Sequence, residues 1–126
     1  DRQEKKMTAT DLMNRIVRLF PDFREYWDAD DNYFRHEDGS YTCCGVFAQF
    51  SHYFKVDCQD WSPVALDDVS TLLEDCLMSP DSEAGTAAAT CFLENIEGEP
   101  AEVCLMDYLG SGSRKFLHAW KTHGQT

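Results

Sequence analysis

Cys43, Cys44, His52 and Cys58 form the one stretch where several thiols and an imidazole gather, a grouping that could ligate zinc or serve thiol nucleophilic chemistry. Zinc needs ligand pairs that converge on one tetrahedron, and neither C-x-x-C nor H-x-x-x-H occurs. Cys58 and His52 have Asp57 close by in sequence, yet closeness along the chain is not the geometry that activates a thiol. Asp28, Asp30 and Asn32 alternate like the opening of a calcium loop. That loop then requires glycine where Tyr33 stands and a bidentate glutamate where Gly39 stands. Paired carboxylates are too common in this chain to single out an acid–base couple. There is no glycine loop to cradle phosphate, and His36, His118 and His123 stand alone. The expectation is therefore no enzyme, no catalytic residue, no metal and no cofactor.

Charge is the stronger signal. Val56 to Ser113 spans 58 residues without lysine or arginine while carrying thirteen Asp or Glu, within a chain of formal net charge -12. Val64, Leu66, Val69, Leu72, Leu73, Leu77, Phe92, Leu93, Ile96, Val103, Leu105 and Leu109 interleave with those acids. Disordered acidic tails lack such apolar content, so the carboxylates belong on a folded surface. Phosphates would be repelled, which excludes nucleic acid and anionic membranes and favours a basic protein partner. No run of about 20 apolar residues occurs, and the start DRQEKKM has no apolar signal core. These features predict a cytoplasmic protein whose six cysteines are mostly buried, reduced thiols, with Cys76, Cys91 and Cys104 on apolar helix faces.

The elements that must position this surface have helical period. Thr10 is expected to cap a helix whose inner face is Met13, Ile16, Val17 and Phe20, ended by Pro21. Asp22 restarts a turn with Phe23, Tyr26 and Trp27, and a long polar connection follows. Ser40 or Thr42 opens the next helix through Phe47, Phe50 and Phe54, with a strand over 41–46 as the alternative. Ser62-Pro63 starts a third, stopped by Ser79-Pro80, and Asp81 or Ser82 caps a fourth that Gly98 ends. Pro100 begins a short helix that Gly110 terminates, and Ser111 or Ser113 caps the last. The pattern predicts an all-α, single-domain bundle of five or six helices over 1–126, with 1–7 flexible.

Cys91-Phe92-Leu93-Glu94-Asn95, then Tyr108-Leu109-Gly110 and Ser113-Arg114, give the C-terminal half a motif set. Over residues 82–121 the chain resembles small bacterial proteins akin to the immunity proteins of polymorphic toxin systems. The resemblance implies a helical cytosolic protein that binds a cognate toxin domain, and it supplies no catalytic residues. Read bottom-up, Phe92 and Leu93 pack, Gly110 ends a helix and Arg114 bridges to an acid.

Aromatic anchors inside a charged ring are what fast, tight binding uses. The expected partner-binding residues are Asp28, Asp30, Asp31 and Tyr33 in one acidic set. Asp57, Asp60 and Trp61, joined by Glu94, Glu97 and Glu99, make the other. The protein is expected to be a monomer before it meets the partner. Two other classes fit the composition: an acidic DNA-mimic inhibitor of a nuclease or restriction system, and a metal or thiol enzyme built on the Cys/His group. Trp61 also has a plainer role open to it, as a core residue.

Overall fold

The middle of the molecule is the helix whose sequence is apolar nearly all round. In α3 (Cys43–Asp57), Cys43 and the run from Gly45 to Ser51 are buried together with Phe54, the pattern of a helix enclosed by its neighbours. The structure, a computed structural model, describes residues 7–30, 32, 34–78 and 82–123. Its described residues are helical or in turns and loops, and the all-α bundle is as the periodicity predicts.

On one side α3 is covered by α1 (Ala9–Leu19) and α2 (Phe23–Trp27). On the other lies a continuous rod: α5 (Glu83–Ala87), a π-helical segment (Ala88–Leu93) and α6 (Glu94–Ile96). Ala84, Ala87 and Ala88 line it, and side chains this small let it approach α3 closely. Behind the rod stand α4 (Pro63–Leu77) and α8 (Ser111–His123). A 3-10 turn (Cys58–Asp60) and α7 (Pro100–Met106) close the far end of α3. Counted as rods among the described residues there are seven, because α2 is a helix of its own. Between the layers runs an aromatic column in which Phe50 meets Phe23 at 5.5 Å, Phe20 at 5.6 Å and Phe92 at 5.6 Å between ring centroids.

Local capping explains most of the starts. Thr42 and Ser62 each accept a backbone N–H three residues on, and Ser82 does the same for the rod. With Thr42 as cap, the strand alternative for 41–46 gives way to a helix from Cys43. The first helix begins earlier than expected: Thr8, not Thr10, is the cap, because Asp11 completes a capping box with it. Gly98 has φ +77°, so the reversal into α7 favours glycine there. The expected stops and caps at Ser79, Pro80 and Asp81 lie outside the described residues, as does the N-terminal segment 1–6.

Four expectations are corrected. Cys91 is not a free thiol; it is bonded to Cys44, while Cys43, Cys58, Cys76 and Cys104 remain reduced. The two bonded residues are 47 apart in sequence, and closing a loop of that size restrains the unfolded chain by about 4 kcal/mol in chain-entropy terms. Next, α8 is capped by neither Ser111 nor Ser113. Glu74 of α4 accepts from Gly112 N (3.0 Å), Ser113 N (2.8 Å) and Ser113 Oγ (2.7 Å). A carboxylate at this end also meets the positive pole of the helix dipole. Gly110 serves that contact instead of ending α7, since a Cβ there would lie 2.5 Å from Glu74 Cγ. Finally, Arg114 bridges to no acid among the described residues: it donates to the carbonyls of Leu109 (2.8 Å) and Met106 (2.7 Å) at the exposed end of α7.

Candidate functional site

Trp61 leaves the 3-10 turn in extended conformation, held by its N–H donating to the carbonyl of Cys58 at 3.2 Å. Its ring leans on the core, 4.9 Å from Phe20 and 5.0 Å from Phe54, and remains half-buried. The expected alternatives of anchor and core residue are thus combined in one ring, with one part packed and one part facing a groove.

Two adjoining hollows of about 240 and 290 Å³ make this groove, and both are lined by Asp22, Tyr53 and Trp61. The first adds Tyr26, Val56 and Asp57; the second adds Leu19, Phe20, Pro21 and Ala65. Tyr53 is the hinge of the wall, 5.8 Å from Trp61 and 5.5 Å from Tyr26, edge-on to both. The lip carries an apolar side chain open to solvent, Val56, which is 67% exposed. Helical spacing sets Tyr53 and Asp57 one turn apart on α3, and the packing of α2 across α3 brings Asp22 and Tyr26 opposite.

The carboxylates act on this wall electrostatically. Burial, then the charges of Asp22 and Asp57, push the Tyr53 phenol above its ordinary range. Neither Asp22 nor Asp57 has an ion-pair partner among the described residues. Aromatic faces beside two unneutralised carboxylates make a place for a cation.

The other expected residues are dispersed. Asp60 is exposed on the 3-10 turn and Glu94 is half-buried on α6. Glu99 reaches the same end of α3 through Lys55 (3.4 Å), and Glu97 is held at 2.8 Å by Lys121 of α8. That bond keeps the Glu97 carboxyl below its usual range and raises Lys121. In the second set, Asp28 is shared by Arg24 (3.2 Å) and Arg35 (3.4 Å), and Asp30 is exposed. Asn32 is a latch, donating to the Trp27 carbonyl at 2.7 Å and accepting from Phe34 N at 3.0 Å. Asp31 and Tyr33 lie outside the described residues. A wider hollow of about 580 Å³ at His36, Glu37, Asp38 and Ser40 has no aromatic wall, and Asp38 is engaged by Ser40 N and Oγ. Sequence reasoning missed Asp22, Tyr26 and Tyr53 as members of the site. The signal available was the turn-spaced pair Tyr53 and Asp57.

The Cys/His grouping comes apart. Cys44 is taken by the disulfide, exposed His52 stacks on Phe34 at 6.3 Å, and Cys58 points inward against Cys104. Burial lifts the thiols of Cys43 to about 11 and of Cys58 and Cys76 to about 12, which disfavours the nucleophilic thiolate at neutral pH. Among the described residues no three of His, Cys, Asp and Glu are grouped to hold a metal ion, and no helix is long and apolar enough to cross a membrane.

Residues 13–124 match the family model of a domain of unknown function, DUF7674, and the chain belongs to that family. No curated protein and no solved structure matches it.

Proposed function

We propose that this protein is a binding protein that takes a cationic side chain of a protein partner into the Trp61 groove, and that the partner is a toxin domain it neutralises. The observation that carries the binding reading is the pair Asp22 and Asp57, without an ion-pair partner among the described residues and set on an aromatic wall. Five other acids, Asp28, Asp75, Glu97, Glu99 and Glu102, are paired with an arginine or lysine, and what sets Asp22 and Asp57 apart from the remaining unpaired acids is the aromatic wall they share. A guanidinium in the groove would gain about 0.5–2 kcal/mol from ring faces, and more from each desolvated carboxylate it pairs with. The net charge of -12 would steer such a partner in, and the rings would slow its departure. The toxin itself is suggested by the immunity-protein resemblance of the C-terminal half.

A duplex mimic is less well supported, because it needs a row of carboxylates with no role for rings, whereas Asp22 and Asp57 flank a wall of Tyr26, Tyr53 and Trp61. Disulfides persist in oxidising compartments, so Cys44–Cys91 supports such a location over the cytoplasm expected from the sequence. The deciding experiment is co-production with the product of the adjacent reading frame. Wild type should protect the cell, and Asp57→Lys, checked to unfold at the wild-type temperature, should not. Equal protection by both would remove the groove from the function.

A further inference from the structure

We infer that Cys58 and Cys104 are a second disulfide site, a dithiol that a small disulfide oxidant closes into a covalent tie between the turn beneath Trp61 and α7. Their sulfurs are 3.3 Å apart, the Cys58 thiol donating to Cys104 Sγ. A disulfide needs about 2.0 Å between sulfurs, so the two side chains have roughly 1.3 Å left to close. The other free thiols have no such mate: Cys76 Sγ faces Met7 Sδ at 3.9 Å, and Cys43 is buried with its backbone N–H on Glu83.

Access favours one order of events. Cys104 is only half-buried, so its sulfur displaces one half of the oxidant and releases one small thiol. Cys58, buried beside it, then attacks Cys104 Sγ and releases the second. Two protein thiols and one small disulfide thus become one protein disulfide and two small thiols, with electrons and protons in balance. Burial and the bond to Cys104 raise the Cys58 thiol to about 12, so Cys58 acts second, on a mixed disulfide already held beside it.

Geometry gives the tie a consequence. Cys58 begins the turn whose carbonyl holds the Trp61 N–H, and the same junction is otherwise spanned by the exposed Lys55–Glu99 ion pair. A covalent bond there would fix the floor of the groove where an ion pair contributes little. The inference stands without the proposed function, since it rests on the sulfur positions alone.

The test is a thiol count on the folded protein before and after glutathione disulfide, with acid quench and alkylation in denaturant. The count should fall from four to two, with a Cys58–Cys104 linked peptide in the non-reducing map and no retained glutathione. Cys58→Ser should instead keep one glutathione on Cys104, and Cys104→Ser should lose no thiol. Four thiols persisting in the wild type, a linked peptide joining other cysteines, or glutathione left on wild-type Cys104 would each overturn the site.

Discussion

Glu74 and Asp57 are both carboxylates of one acidic chain, and each stands near a helix end. Glu74 is half-buried and fully engaged: the first amides of α8 and the Ser113 hydroxyl all donate to it, and Gly110 leaves room for it. Asp57 is exposed at the end of α3, facing Tyr53 and Trp61 with no ion-pair partner among the described residues. The motif residues fall with Glu74. Cys91 is in the disulfide, Phe92 and Leu93 are in the core, Asn95 bridges the Cys91 carbonyl and Ser51, the Tyr108 carbonyl accepts from Ser70, and Arg114 caps α7. What the family-like motif specifies is therefore architecture. The groove lies in residues outside that motif, so the scaffold and the proposed binding surface rest on different residues.

Substitution at either place should move one property and spare the other. Glu74→Ala strands two amides and a buried hydroxyl, and should cost about 2–3 kcal/mol in urea unfolding while leaving partner affinity per folded molecule intact. Lost affinity at full stability would show that α8 itself is the interface. Trp61→Ala should cost about 2 kcal/mol of partner affinity, measured by calorimetry, with a smaller loss of stability because the ring is half-exposed. A stability loss with unchanged affinity would return Trp61 to the core alone.

Removing charge from the rim is a finer test. In Asp22→Asn/Asp57→Asn, association should slow several-fold with dissociation little changed, and the dependence of association on salt should weaken. The same variant should bring the Tyr53 phenol back toward its ordinary range, read by ultraviolet titration, since both carboxylates raise it after burial does. An unmoved titration would mean the acids do not face the ring.

The smallest effect concerns the clasp of Lys121 with Glu97 and Glu102. Glu97 is depressed, so its contribution is present above its unfolded-state value and lost as pH falls through the folded one. Lys121 is raised, so its contribution holds below its unfolded-state value and is lost as pH rises through the folded one. The ratio of amide-exchange rates in the last turns of α8 to those in α4 should therefore be flat near neutrality and rise at both extremes.

Several helix boundaries were legible because their signals are local: Ser62-Pro63 and Thr42 at starts, and Gly98 at a stop, carry their geometry in adjacent residues. The start of α8 was not, because its cap arrives from Glu74, 38 residues earlier than Gly112. Pairing of Cys44 with Cys91 was hidden for the same reason: 47 residues apart, Cys44 stood in the Cys/His grouping and Cys91 on an apolar helix face. Of the site, Trp61 and Asp57 were readable as an aromatic among acids. Asp22 and Tyr26 were not, since only the packing of α2 on α3 sets them on the opposite wall. Glu97 was misleading because the lysine that engages it lies 24 residues on.

The central claim is that a cation docks between the rings and carboxylates of this groove. Its most direct test is calorimetric titration of a short arginine-containing peptide amide, and of the same peptide with citrulline for arginine, into wild type, Trp61→Ala and Asp22→Asn/Asp57→Asn at one ionic strength. The account predicts that only arginine binds wild type well, with at least about tenfold weaker binding to both variants, the equivalent of about 1.4 kcal/mol. Equal affinity for all three proteins would mean that the peptide reads the diffuse negative surface, and would contradict a built site at Trp61.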